Sequence, residues 1–136
     1  MNIGIENGLE GIVDLVKMKA YWFDGENGEK VREGDVPKNL IEKCKEKKLE
    51  LISQLAELDE KMEEYFLEEN IDVPIDLLKE CIRKHTIELN FAPVLMGSAF
   101  KNKGVQLLLN AVVDYLPTPY EVKNFAFDRA KSGEKT

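Results

Sequence analysis

An α/β fold is predicted for this chain of 136 residues, and three observations predict it. Residues 11–23, GIVDLVKMKAYWF, are apolar-rich with charges at roughly alternating positions, as a strand requires. Between residues 37 and 90 the apolar residues recur at spacings of three and four, as helices require. PVLMGSAF, residues 93–100, then places an apolar run and a small-residue loop ahead of one more helical stretch.

Each element has its own signature. In 11–23, Val13 and Leu15 fall on one face and Ile12, Val16 and Met18 on the other, and Tyr21, Trp22 and Phe23 suit pleated packing. Asp24-Gly25 and Asn27-Gly28 favour turns with positive φ, so Lys30, Val31 and Arg32 read as the return strand of a hairpin. Pro37 fits a first helical turn, with Asp35 as its cap. A helix over 38–69 would run about 45 Å, so a break is expected near Lys47-Lys48. Residues 70–74, NIDVP, end it, and a shorter helix from Pro74 to His85 carries Leu77, Leu78, Cys81 and Ile82. PVLM reads as a core strand, and 105–116, VQLLLNAVVDYL, as a last helix stopped by Pro117 and Pro119. Residues 128–136 read as a polar end.

The charge argues against a nucleic-acid clamp. Asp and Glu number 26 against 19 Lys and Arg, a net −7, whereas phosphate neutralisation needs excess cations. No stretch approaches the roughly 20 apolar residues that cross a bilayer, so no membrane partner is expected. Cys44 and Cys81 fit neither a paired metal-ligand spacing nor a redox motif; they read as small helix-face residues, and a disulfide between them stays open. His85, with no second histidine near it, reads as a surface or helix-end residue.

The motifs of nucleotide hydrolysis are missing from this sequence. It holds no G-x-x-x-x-G-K-[ST] to cradle phosphates, no D-x-x-G and no N-K-x-D. Ser98 lacks the flanking glycines of a nucleophile elbow, and the acidic pairs Glu63-Glu64 and Glu68-Glu69 do not share a helix face. No catalytic residue is assigned. Gly97-Ser98-Ala99 admits two readings: a tight strand-to-helix turn, or a compact loop whose backbone N–H groups meet a carbonyl oxygen or an anion.

Longer stretches carry a resemblance. GSAFKNKGVQLLLNAVVDYLPTP resembles the carboxyl end of the guanine-nucleotide domain of the elongation factor G family, the translocation GTPases of bacterial-type ribosomes. IGIENGLEGIVDLVKMKAYWF resembles the segment that follows the guanine-specificity motif there, and DVPKNL with LAELDEKMEEYFLEE resembles the insert inside that domain. The resemblance covers about residues 3–127. PTPYEVKNFAF, VREGDVPKNL and FLEE look most like the mitochondrial version.

The resemblance implies a small α+β insert subdomain joined to the terminal strand and helix of a P-loop GTPase core. Residues 1–16 would come from that core, 17–90 would be the insert, 91–119 the last strand, guanine-binding loop and last helix, and 120–136 a linker toward a second domain. Ser98 and Ala99 match the fifth guanine-nucleotide motif, where the N–H at Ala99 would approach the guanine carbonyl oxygen, Ser98 would shape the turn and Lys101 would lie beside the base. GTP or GDP with magnesium would bind the full-length parent and not, tightly, this stretch alone.

The implied parent is an enzyme, a GTP hydrolase that moves tRNA and mRNA through the ribosome; this chain alone is expected to be inactive. Implied partners are the ribosome and its stalk proteins, with rRNA, tRNA and mRNA met through other domains. The insert's lysines at 43, 45, 47 and 48 are the candidate stalk-facing patch. The implied location is the mitochondrial matrix, with bacterial cytoplasm as the alternative. A recycling-type paralogue and a non-catalytic interaction module are the competing readings. Strands cut from a parallel core would leave apolar surface open to self-association.

Overall fold

The computed structural model describes residues 1–4 and 8–122. The polar end read over 128–136 lies outside the described residues.

Four antiparallel strands form one sheet in chain order: β1 (Asn2–Ile3), β2 (Gly11–Asp14), β3 (Lys19–Asp24) and β4 (Lys30–Asp35). The expected single strand over 11–23 is therefore a hairpin. Asp14 turns the chain: its Oδ1 accepts the N–H groups of Val16 at 2.9 Å and Lys17 at 3.1 Å, and Met18 takes a φ of 52°. A short carboxylate that bonds the backbone two and three residues on competes directly with strand extension. The second hairpin follows the sequence reading, with Asp24 opposite Lys30 and with Gly25 and Gly28 at φ of 96° and 62°.

The sheet is covered on both faces. Ile12 pairs with Tyr21 and, with Phe23, packs against Leu107. Val13 pairs with Ala20 on the other face and meets Cys44, with Leu40 and Trp22 alongside. The exposed edge strand β4 is rich in charge, and Arg32 sits 4.7 Å from the Trp22 ring centroid while bonding Asp24 at 3.0 Å.

The helices are α1 (Ile41–Ala56), α2 (Glu60–Leu67), α3 (Ile75–Ile87) and α4 (Val105–Tyr115), with a 3₁₀ turn at Lys38–Leu40 ahead of α1. Asp35 caps none of them; it ends β4 and pairs with Lys19 at 2.8 Å. The break in the long helical stretch falls at 57–59 rather than at Lys47-Lys48. Lys48 belongs to the buried stripe of α1, between Cys44 and Ile52, and is only 5% exposed. Burial lowers its pKa, opposed by the charges of Asp72 and Asp14. The break also places acidic residues at a helix start. Asp59 caps α2 by accepting the Lys61 N–H at 3.1 Å, which sets Glu60 and Glu63 at the favourable end of the helix dipole.

The main core joins all four helices. Ile52 and Leu55 of α1, Met62 of α2, Leu78, Cys81 and Ile82 of α3, and Ala111 and Tyr115 of α4 are buried together with Val16 and Val73. Cys44 and Cys81 are both buried and free, so no disulfide joins them.

The expected core strand PVLM is not one. Among the described residues 91–97 carry no strand, and Val94, Leu95 and Met96 are 88%, 41% and 49% exposed. A strand needs a neighbour for its N–H and C=O groups, and none of the four strands pairs with this segment. The expected terminal β-strand is replaced by an irregular segment, packed on the core at Phe91 and exposed at Val94–Met96, that leads into the loop before α4.

Candidate functional site

Loop 97–104 is held by a few short-range bonds. The Ser98 N–H donates to the Lys103 carbonyl at 2.8 Å, and the Lys103 N–H returns to the Ser98 carbonyl at 3.0 Å. Inside this bridge the Asn102 N–H donates to the Ala99 carbonyl at 3.1 Å, with Asn102 at a φ of 49°. The Lys101 N–H approaches Ser98 Oγ at 3.4 Å, a long and weak contact. Ser98 thus closes the turn through both its backbone and its side chain.

Gly104 ends the loop in the left-handed conformation, φ 84°, immediately before α4. A Cβ there would stand 2.4 Å from Ile12 Cδ1 and 2.9 Å from the Met96 carbonyl oxygen, so the loop seats directly on β2. Lys103 anchors the same seat, its Nζ reaching the Leu9 carbonyl at 2.6 Å. On the opposite side Gly28 lets the β3–β4 turn approach closely: a Cβ would lie 2.8 Å from the Lys101 carbonyl. A cleft of about 560 Å³ opens between them, lined by Glu26, Asn27, Phe100, Lys101 and Asn102.

The structure places Ser98, Ala99 and Lys101 in one loop, and of the three only Lys101 lines that cleft. Among the described residues the Ala99 N–H meets no acceptor, and Ala99 is exposed. Such a donor can bond an incoming carbonyl oxygen. Nothing in the loop supplies a base or a nucleophile activated by one. A second cleft of about 570 Å³ lies behind the loop and is largely apolar, with Ile12, Val16, Val94, Met96, Leu107 and Ala111 on its walls.

No family model matches the chain. Curated relatives do. A mitochondrial elongation factor G from Culex quinquefasciatus is 49% identical over 132 residues, 97% of this chain and 18% of its own length. Elongation factor G 1 from Desulfotalea psychrophila is 46% identical over 128 residues, 94% of this chain and 18% of its own length. This chain is homologous to a segment of elongation factor G. It spans about a fifth of those relatives. A crystal structure of a Thermus thermophilus protein also superposes, with a TM-score of 0.72 and 25% identity, over 89% of this chain and 18% of that one. The elongation factor G relatives come from mitochondria and from bacteria, so the homology supports the family and not one compartment.

Two groups of residues escape the sequence reading. Arg83 ties α3 to the end of α4, donating from Nη1 to the Asp114 carbonyl at 3.2 Å and the Leu116 carbonyl at 2.7 Å. Lys79, one turn earlier, reaches Asp114 at 2.6 Å. Only the 79/83 spacing on one helix hints at this. His85, expected at the surface or at a helix end, lies in the last turn of α3 but is 3% exposed and stands beside Cys81 and Asp59. Here a signal is present, since Cys81 and His85 lie four apart on one helical face, but Asp59 comes from a distant corner.

Proposed function

We propose that this chain is the insert and guanine-recognition portion of a GTP-hydrolysing ribosomal translocase. The Ala99 N–H would read the guanine carbonyl oxygen, Ser98 would hold the turn, and Lys101 would flank the base. The observation that carries this reading is the exposed Ala99 N–H, which meets no acceptor among the described residues, within a chain homologous to a segment of elongation factor G. A donor discriminates guanine from adenine because adenine presents an amino group at that edge and would oppose N–H to N–H.

The longer protein would bind GTP or GDP with magnesium, hydrolyse GTP during protein synthesis and act on the ribosome with its tRNA and mRNA. Phosphoryl transfer needs a metal-bound phosphate and a positioned water. The 136 residues contain no phosphate-loop motif, so by themselves they are inactive and bind guanine nucleotides weakly. The proposed location is the mitochondrial matrix, a reading in line with the name of the Culex relative, with bacterial cytoplasm as the alternative.

For the stalk-facing surface, the buried Lys48 drops out. Lys43, Lys45 and Lys47 remain on the exposed side of α1; Lys45 pairs with Glu42 at 3.0 Å and Lys47 with Glu50. Such exposed pairs are weak, so a partner's carboxylates can compete for the lysines.

The deciding experiment uses the full-length reading frame. Ala99→Pro removes the N–H. It should weaken GDP binding by at least about tenfold, one charge-neutral hydrogen bond's worth, and narrow the preference for guanine over adenine nucleotides. Unchanged selectivity would overturn the assignment of Ala99. Micromolar, guanine-selective binding to the 136-residue chain alone would overturn the claim that this portion is insufficient.

A further inference from the structure

We propose that Asp59, Cys81 and His85 form a binding site for a zinc-class divalent cation that fastens the α1–α2 corner to α3. The proposal rests on a buried imidazole that the protein leaves without a hydrogen bond. His85 is 3% exposed, and neither Nδ1 nor Nε2 has a hydrogen-bond partner among the described residues. Both nitrogens stand near carboxylates without a well-formed hydrogen bond, so the ring is buried with its lone pair and its N–H unsatisfied.

The surroundings of the ring are those a metal requires. Cys81 lies one helical turn before His85 on the same face of α3 and is itself buried. Asp59 enters from the α1–α2 corner, its Oδ2 at 3.6 Å from His85 Nε2. One donor atom from each of the three side chains lies within 4.8 Å of the other two. Tetrahedral bonds of about 2.0–2.3 Å would bring such atoms to about 3.3–3.8 Å apart. Small side-chain rotations close that gap without moving the helices. On the far side of the ring, Glu88 Oε2 stands 3.2 Å from Nδ1. A small rotation on metal binding would let that carboxylate accept the Nδ1–H and so hold the tautomer that presents Nε2 to a metal.

The donor set selects the ion. One thiolate, one imidazole and one carboxylate suit zinc and exclude magnesium and calcium, which take oxygen ligands. Binding breaks the Cys81 S–H bond and releases its proton to solvent as the metal–sulfur bond forms. It also displaces the Lys84 ammonium from Asp59 Oδ2, now at 2.9 Å. The Lys84 side chain is 52% exposed, so it regains water readily. Three protein ligands leave a fourth position for water. The outcome is a crosslink between two corners of the helical core, independent of the guanine-recognition loop.

Cobalt(II) is the probe, because it replaces zinc and reports thiolate ligation optically. The metal-stripped 136-residue chain should take up one equivalent of Co²⁺ with a thiolate-to-cobalt charge-transfer band and tetrahedral ligand-field bands. Zn²⁺ should displace it and raise the unfolding temperature. Cys81→Ser should abolish the charge-transfer band, while Cys44→Ser, at the other buried thiol, should leave it intact. Glu88→Gln should weaken binding by about tenfold. A native chain that shows no saturable band overturns the site without reference to any variant, and so does a band that survives Cys81→Ser. Neither result bears on Ala99 and guanine selectivity.

Discussion

Arg83 of α3 holds Glu121 by both carboxylate oxygens, with Nη2 at 2.9 and 2.8 Å. The same guanidinium caps the carbonyls that end α4, and the Thr118 N–H adds a bond to the carboxylate at 2.6 Å. Together the Thr118 N–H, first, and the Arg83 guanidinium hold the Glu121 carboxyl down to about 2 from its usual 4.5. The ionised form is favoured in the folded chain, so the contribution to stability is full above the unfolded value. It fades as pH falls from 4.5 toward about 2. Wild type should therefore exceed Glu121→Gln in urea midpoint at neutral pH, with the gap closing through that acidic window. A gap that persists at the acidic end would contradict the arrangement.

Gly104 carries a second prediction. Its φ of 84° and the contact a Cβ would make with Ile12 Cδ1 leave no relaxed conformation for alanine. Gly104→Ala should cost about 1–3 kcal/mol, read as a lower unfolding midpoint.

Leu78 is fully buried where α3 meets α1 and α2. Leu78→Ala should cost about 2–5 kcal/mol. Leu109→Ala, on the 60%-exposed outer side of α4, should change stability by no more than about 0.5 kcal/mol. Denaturant titrations of the pair test whether α4 faces the core as described.

Asp59 stands at a helix start as well as beside His85. In the presence of a chelator, Asp59→Ala should lose about 1–2 kcal/mol, and Asp59→Asn, which keeps a capping oxygen, should lose less. Equal losses would show that the Lys84 ion pair, not the cap, fixes the corner.

The outer side of α4 also presents Leu108, Leu109, Val112 and Val113 to solvent. A double Leu109→Lys, Val113→Lys chain should stay folded and show a smaller self-associated fraction in sedimentation than wild type. An unchanged fraction would clear this face of any part in self-association.

Where the sequence is readable, local chemistry decides the structure. Gly25 and Gly28 mark the β3–β4 turn because few other residues tolerate positive φ there. The 3–4 spacing of Ile52, Leu55, Leu78 and Ile82 marks helices because those side chains need one buried stripe. The reading fails where a decision depends on distant partners. PVLM has the composition of a buried strand, but composition does not supply a neighbouring strand. Lys48 reads as a surface charge, while its position in the stripe puts it inside. The turn at 15–18 hides behind apolar residues because Asp14 sets it with one side-chain oxygen. The guanine-reading roles of Ser98 and Ala99 rest on resemblance, and the Asp59–His85 meeting is not legible at all.

The bond from Lys103 to the Leu9 carbonyl joins positions 94 apart in sequence. The chain leaves and re-enters through one doorway. Everything between, three of the four strands and three helices, is an excursion whose two ends meet at a single point. That excursion is also held from the side, by β1 pairing with β2 and by α4 packing on α3.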